Sequence, residues 1–541
     1  MIPRGILRAG RRFEQGGCCF DVEILPCATC GGNDSEETVF DNIRLRAGRL
    51  HRSCRVNTSR AGRIGRPGQA QIIKVIDVQI VSAYARLLHQ DRAQAVLACA
   101  VCLIVALLQT LVPPYTRPVA DAMQYAGMAA SLADAMMSDW GRANEILGTF
   151  FGPVYPMFVG VLAVFDTDLA QALKCVSQDG AVCDLNGLTA LFVVQAVLTA
   201  FTAFFIFLAA RRLTGDARIA WLTLMIVLAT ECFTHYAGLI LTETPTFFFI
   251  GLFSWMLARV LSDPAPARRD AVLAGAALAG AALTRASYVY LLYFMVPVIV
   301  VWWRVGRGRM WADTIAAAAC FAAGAAAILA PWWIRNYVGF DLAGISGGYG
   351  PKVLIERLPY NLMTWREWAI SLIYWLPDFG DSLATAVFSE EQVRRLSWYH
   401  PDSFYMMGRG QFFLDVRAAS GAQDNPLGYL LREYVWGDLG KHLAVTLSLA
   451  LRGQWVGNYA GLVGFILLPA CVWILARRGR AGPFLVFCLP PYFMLGLYAF
   501  VSVNVVRYNE PLIAVFALSG ATVIVHLAAH GVDRLRRIRK Q

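Results

Sequence analysis

Apolar runs close to twenty residues long recur along this chain, separated by short polar turns, and that rhythm predicts membrane-spanning helices. The first is expected at about 93–112, preceded by Arg86 and Arg92. Others are expected near 188–210, 219–237, 239–260, 271–287, 289–303, 312–333, 457–475, 483–503 and 511–528. Backbone in lipid must satisfy its own hydrogen bonds, and a helix does so within one segment. The run from Phe151 to Phe165 is apolar too, but it is shorter and holds Pro153 and Pro156. It is therefore predicted as a juxtamembrane or re-entrant helix. With that choice every basic cluster falls on one side: Arg211-Arg212, Arg268-Arg269, Arg304 to Arg309, Arg477 to Arg480 and Arg534 to Lys540. The positive-inside rule assigns that side to the cytoplasm.

The expected fold is an all-α polytopic membrane protein of about ten transmembrane helices with two large external loops and both termini cytoplasmic. Four regions follow: an Arg-rich cytosolic tail at 1–92, a transmembrane module with the first external loop at 93–333, a large external region at 334–456, and C-terminal transmembrane helices with a basic tail at 457–541. The tail lacks helical apolar periodicity and is expected to be disordered or the product of a misassigned start, with a short interfacial helix at 72–88. The second loop is rich in tryptophan, with Trp365, Trp368, Trp375, Trp398 and Trp436.

Composition agrees with lipid as the solvent. The chain is 57% hydrophobic and only 16% charged, against about 25% charged in soluble domains. The net charge of +11 sits in arginine clusters flanking apolar runs, which is a topology signal and not a nucleic-acid-binding face. Cys27-Ala-Thr-Cys30 forms a CxxC beside Cys18, Cys19 and Cys54, but without a second CxxC a zinc site is not expected. Cys175 and Cys183 lie in the first loop and either form a disulfide, if that side is oxidising, or stay as thiols. No HExxH pair, P-loop or dinucleotide fingerprint is present. No soluble nucleotide-binding domain is visible, so a nucleotide-sugar donor is not expected.

The chemistry-bearing residues gather at the outer ends of the expected spans. Asp121 lies shortly after the first span, with Tyr125 four positions on. Glu243 sits in a Thr-Glu-Thr-Pro segment, Arg285 in Leu-Thr-Arg, Arg335 in Pro-Trp-Trp-Ile-Arg-Asn-Tyr, and Arg507 in Val-Arg-Tyr-Asn-Glu-Pro. Ionisable groups near membrane depth usually face a protein interior or wet cavity. Three converging guanidinium groups would suit a phosphate, and a carboxylate beside them could act as general base. Each has a blander reading: an arginine that snorkels, a glutamate that caps a helix, an aspartate in an ordinary loop.

At these same residues the sequence resembles the GT-C superfamily of integral-membrane glycosyltransferases. It is most similar there to bacterial relatives of dolichyl-phosphate-mannose protein mannosyltransferases and of the lipid A aminoarabinose transferase. The shared features are Asp121-Ala-Met-Gln-Tyr125, Gly152-Pro-Val-Tyr-Pro156, Arg211-Arg-Leu-Thr-Gly215, Gly280-Ala-Ala-Leu-Thr-Arg285, the Pro331 to Tyr337 segment and Arg507-Tyr508. The resemblance spans about 93–529. It implies that Asp121 is the catalytic carboxylate, that the donor is a polyprenyl-phosphate sugar, and that the acceptor binds from the outer, periplasmic face of a bacterial inner membrane. Arg285, Arg335 and Arg507 would hold the donor phosphate, while Tyr125, Glu243, Tyr155 and Tyr508 would position substrate. The paired acidic motif of some relatives is reduced here to Asp121 preceded by Ala120. No cofactor is firmly implied; a divalent cation, Mg²⁺ or Mn²⁺, could bind between Asp121 and Glu243.

The expected activity is transfer of a hexose or pentose from a polyprenyl-phosphate donor to a glycolipid, polysaccharide or protein acceptor, within a lipid bilayer and without nucleic acid. The rivals are a transporter or flippase of a lipid-linked or soluble solute, and an oligosaccharide polymerase or ligase. No internal repeat of the kind transporters show is evident.

Overall fold

The computed structural model describes residues 91–110, 120–179, 183, 185–263, 268–347 and 349–538. The cysteines before residue 60 and the expected helix at 72–88 lie outside them. Among the described residues there is no strand, and the chain is an all-α polytopic membrane protein.

The first span is α1 (Asp91–Thr110). A segment of four helices follows: α2 (Ala120–Ser138), α3 (Trp140–Leu147), the apolar α4 (Val154–Phe165) and α5 (Thr167–Asp179). Apolar helices resume with α6 (Thr189–Thr214), α7 (Ala217–Ala229), α8 (Glu243–Ser262), α9 (Arg268–Thr284), α10 (Tyr288–Val301) and α11 (Trp311–Phe340). Between α11 and α15 lie α12 (Tyr349–Arg357), α13 (Trp365–Tyr374), several shorter helices and α14 (Leu439–Gly453). The bundle closes with α15 (Tyr459–Arg477), α16 (Ala481–Val501) and α17 (Ile513–Ile538).

Eight of these helices are long and apolar enough to cross a membrane. Helices α4 and α7 are apolar but shorter, with 12 and 13 residues, and α9 has 17, which fits the expected total of about ten spans. The expected 219–237 span is cut short, because α7 stops at Ala229 and Glu231 takes a left-handed conformation at φ 53°. The chain then runs through a loop and one short helix, Thr234–Ala237, to Glu243. Helix α4, with 12 residues, buries Tyr155, Pro156, Val159, Gly160 and Ala163 and packs on α2.

The Arg211-Arg-Leu-Thr-Gly215 motif is a helix stop. Gly215 ends α6 in the left-handed conformation at φ 71°, which glycine adopts without a Cβ clash. Asp216 then caps α7 by accepting from the Arg218 backbone N–H at 3.0 Å. Arg480 donates to the Arg212 and Leu213 carbonyls at 3.2 and 3.1 Å, where the last turn of α6 lacks intrahelical donors.

Small residues set the tightest packing. A Cβ on Gly275 of α9 would fall 1.9 Å from the Phe321 carbonyl oxygen of α11, and one on Gly324 would fall 2.0 Å from that of Val272. Lipid tails are as apolar as leucine, so close backbone approach of this kind holds membrane helices together. Beyond the bundle, α2, α4 and α5 enclose their own core around Ala126, Val159, Leu173 and Val176. Cys175, on α5, is disulfide-bonded to Cys183.

Candidate active site

Helix α2 begins at Ala120, so Asp121 stands in its first turn, where the helix dipole favours a carboxylate. Tyr125 lies one turn further along the same face. The Asp121 Oδ2 accepts a hydrogen bond from Arg507 Nη2 at 3.1 Å. Arg507 belongs to a single 3-10 turn, Val506–Tyr508, in the loop between α16 and α17. Its Nε lies 3.6 Å from Glu243 Oε1, and that same oxygen accepts from Arg285 Nη1 at 3.0 Å.

The result is a row of alternating charge: Asp121, Arg507, Glu243, Arg285. Glu243 is 2% exposed, and a carboxylate taken that far from water needs cationic partners. It does not serve as a backbone cap. Its second oxygen accepts from the Thr242 hydroxyl at 3.5 Å. The Asp121 side chain, in contrast, is 55% exposed, so the row runs from a buried end to an accessible one.

Aromatic rings wall the row. The Arg285 guanidinium lies 4.5 Å over the Tyr508 ring and that of Arg507 5.4 Å from it. Tyr508 packs on Tyr498 at 5.0 Å, and the Tyr498 hydroxyl is 2.7 Å from Ser287 Oγ. Tyr125 meets Tyr155 edge-on at 5.3 Å and Phe151 at 5.1 Å. Burial holds the Tyr125 hydroxyl well above its usual range, so it keeps its proton. The Pro-rich segment reaches this wall through Gly152, whose Cβ would fall 2.1 Å from the Leu283 carbonyl oxygen.

Of the three arginines expected to converge, Arg285 and Arg507 do so. Arg335 is engaged at the α3 end: its Nε donates to Asn144 Oδ1 at 2.6 Å, and its other nitrogens reach the carbonyls of Asn144 and Gly148. Trp332 and Phe340 sandwich its guanidinium at 4.2 Å each. It makes no contact with Glu243 or Asp121. Of the candidate positioning residues, Glu243 belongs to the row, Tyr125 and Tyr508 line it, and Tyr155 is buried behind Tyr125.

Two features carry no clear mark in the sequence. Gln195 of α6 is fully buried; its Oε1 accepts from the Tyr155 hydroxyl at 3.2 Å, and its Nε2 donates to the Ala237 and Leu239 carbonyls at 2.8 and 2.9 Å. It therefore fixes the turn leading into Glu243. The only signal is a polar residue within an apolar run. Helix α12 is the second, for it lies near the site. Burial raises the Glu356 carboxyl above its ordinary range; the Arg409 and Lys352 charges oppose that shift and the Asp121 charge adds to it. Tyr349 packs on Phe150 at 5.4 Å, and burial likewise lifts its hydroxyl well above the usual range.

The residues present do not suit a divalent cation between Asp121 and Glu243. The Arg507 guanidinium stands between the two carboxylates and contacts both. No group of three His, Cys, Asp or Glu side chains among the described residues could hold a metal. Behind Tyr508 a small apolar cavity of about 20 Å³ lies between α8, α10, α16 and α17, lined by Ile250, Phe253, Leu257, Leu291, Met494 and Val515 among others.

Residues 185–342 match the model of the family described as dolichyl-phosphate-mannose-protein mannosyltransferase. That stretch carries Gln195, Glu243, Arg285 and Arg335; Asp121 and Arg507 lie outside it. The match bears out the glycosyltransferase resemblance and supports a membrane glycosyltransferase. Among curated proteins none matches the chain in sequence. Among solved structures, the apo oligosaccharyltransferase of Archaeoglobus fulgidus aligns over 82% of this chain with 11% identity and a TM-score of 0.45. The chain spans 52% of that protein's length.

Proposed function

We propose that the row from Asp121 to Arg285 is the active site of a transferase that moves one sugar from a polyprenyl-phosphate donor to an acceptor hydroxyl on the external face of the membrane. The observation that carries this reading is the pairing of Arg507 and Arg285 on one side of an accessible carboxylate. A lipid phosphate needs such cations for its head.

Asp121 takes the proton of the acceptor hydroxyl. The acceptor oxygen then bonds to the anomeric carbon as the bond from that carbon to the phosphate oxygen breaks. The polyprenyl phosphate leaves with an added negative charge, which Arg285 and Arg507 stabilise in a site with little water. Glu243 holds both guanidiniums in place until the phosphate arrives, and Tyr508 supports them from beneath. Arg335, tied to the α3 turn, keeps the wall next to Phe150 and Phe151 in register. The disulfide at α5 supports an oxidising compartment on this side. Exposed Trp365 and Trp436, each 61% exposed, offer faces on which an acceptor glycan can stack.

Purified protein in detergent, supplied with a panel of labelled polyprenyl-phosphate sugars and a membrane-lipid extract, tests the reading. Asp121→Asn should lower transfer by about 10²–10⁴-fold, the range for loss of a general base, while the protein stays folded and monodisperse. Undiminished transfer by that variant would remove Asp121 from the mechanism.

A further inference from the structure

The region between α11 and α15 grips the end of α16 with Arg357, His442 and Arg452. Arg357 is wholly buried; its Nε donates to the Ala499 carbonyl at 3.0 Å and its Nη1 to Asn361 Oδ1 at 3.0 Å. His442 Nε2 meets the Phe500 carbonyl at 3.0 Å. Arg452 donates to the Val503 carbonyl and, at 3.3 Å, to the Tyr360 hydroxyl. The rings of Tyr360, Trp375 and Trp398 surround its guanidinium at 5.1, 4.6 and 4.4 Å. The last carbonyls of a helix lack intrahelical donors and favour cations. Arg357 and His442 supply donors to the last carbonyls of α16, and Arg452 supplies one just beyond its end.

The next contact falls on the loop that carries Arg507 and Tyr508. Asn504 Nδ2 donates to the Leu449 carbonyl of α14 at 2.7 Å, and Asn509 Nδ2 donates to Asn504 Oδ1 at 2.7 Å. Both asparagines are buried. Asn504 is held in the left-handed region at φ 49°, a conformation that persists only where surrounding contacts determine it. Gly453, at the end of α14, makes room for the pair: a Cβ there would fall 2.3 Å from Asn504 Nδ2 and 2.6 Å from Asn509 Nδ2. The loop is therefore fastened to α14 through Asn504, and Asn509, beyond Arg507 and Tyr508, ties its far side back to Asn504 while packing against Gly453.

We propose that α14 is a positioning element for the donor phosphate: Gly453, Asn504 and Asn509 set where Arg507 and Tyr508 stand, so the region between α11 and α15 governs donor binding without touching the donor. This rests on reading Arg507 as a phosphate ligand. In Gly453→Ala the added methyl displaces the two asparagine side chains, and in Asn504→Ala the bond to α14 is lost. Neither change touches Arg507 itself.

The test is equilibrium binding of a long-chain polyprenyl phosphate, and of the matching phosphate-free polyprenol, to the full chain in detergent. Gly453→Ala and Asn504→Ala should each weaken polyprenyl-phosphate binding by about tenfold, the order expected when one charge-assisted contact is lost. Polyprenol binding should stay at the native value. Gly440→Ala, also on α14 but with open space around the added methyl, should bind both lipids as the native chain does. Arg507→Ala must weaken the phosphate lipid as well. If Arg507→Ala does so while Gly453→Ala and Asn504→Ala leave binding native, the positioning role of α14 is overturned and the phosphate reading survives. If Arg507→Ala leaves binding native, the phosphate reading falls and the positioning role with it. Equal loss of both lipids in the α14 variants would mean general loosening of the fold, and would also overturn the proposal.

Discussion

His442 sits between two partners that leave its ring one protonation state. Asn361 Oδ1 accepts from Arg357 Nη1 at 3.0 Å, so its amide nitrogen, 3.0 Å from His442 Nδ1, faces that atom as a donor. The Nδ1 must accept, and Nε2 then carries the proton toward the Phe500 carbonyl. Burial first, and the nearby Arg357 charge second, push the imidazole from its ordinary 6.5 down to about 4. A histidine kept neutral in the fold but protonated in the unfolded chain stabilises fully above pH 6.5. That contribution is lost progressively as pH falls toward 4. At about 1.4 kcal/mol for each tenfold change in proton affinity, the loss across the window is roughly 3 kcal/mol. Hydrogen exchange over 439–453 should therefore accelerate as pH falls from 7 to 4.5, after correction for intrinsic rates. His442→Gln should flatten that dependence; an unchanged slope in the variant would assign it to another group. Nothing in the sequence announces this arrangement, since His442 lies 81 positions from Asn361 and meets it and Arg357 only in the fold. Glu243, Arg285 and Arg507 differ in this respect. Those could be read as site residues because topology puts span ends on a shared face. Arg335 obeys the same rule of placement, yet its guanidinium goes to Asn144, because side-chain partners depend on local turns that placement does not specify.

Helices α9 and α11 show what small residues do at the scale of an element. The Gly275 and Gly324 contacts bring carbonyl oxygens where a Cβ would sit, and backbone, unlike a side-chain tip, cannot rotate away. Gly275→Ala should destabilise the bundle by about 1–3 kcal/mol, the usual cost of overpacking, seen as a lower thermal midpoint in detergent. Gly496→Ala, at a position with open space, should leave the midpoint unchanged. A native midpoint in Gly275→Ala would show that the two helices can separate freely. The spans themselves are legible because lipid imposes a single demand, about twenty apolar residues in a row. Where that demand lapses, the pattern carries less. The stretch 219–237 is apolar throughout most of its length, but the turn at Thr230 and Glu231 ends α7 early. The expected loop at 334–456 is mostly helix, built around cores such as Tyr360, Ile370, Trp375 and Phe404. Its helices are short, and their apolar positions follow neighbours supplied from distant sequence, so no sustained period marks them. The Trp residues of that region divide accordingly. Trp375 and Trp398 surround Arg452, and Trp365 and Trp436 stay exposed.

At the scale of the whole molecule the two ends of the bundle carry different chemistry. One end holds Arg211, Arg212 and Arg218 between α6 and α7, Arg268 and Arg269 at the start of α9, and Arg477 to Arg480 between α15 and α16. Several pair locally, as Arg212 does with Asp263 and Arg259 with Asp270. The other end holds Asp121, Glu243, Arg285, Arg507 and the disulfide. The positive-inside rule turns this asymmetry into an orientation, and the disulfide supports the same one, since such bonds persist in oxidising compartments. Met137 of α2 is 74% exposed on the side of the site, and Arg268 is exposed at the basic end. In a background without other free cysteines, a membrane-impermeant maleimide should label Met137→Cys on intact cells and reach Arg268→Cys only after permeabilisation. The reverse pattern would open Asp121 to the cytoplasm. The basic clusters would then need another cause, and a donor presented at the external face could no longer reach Arg507.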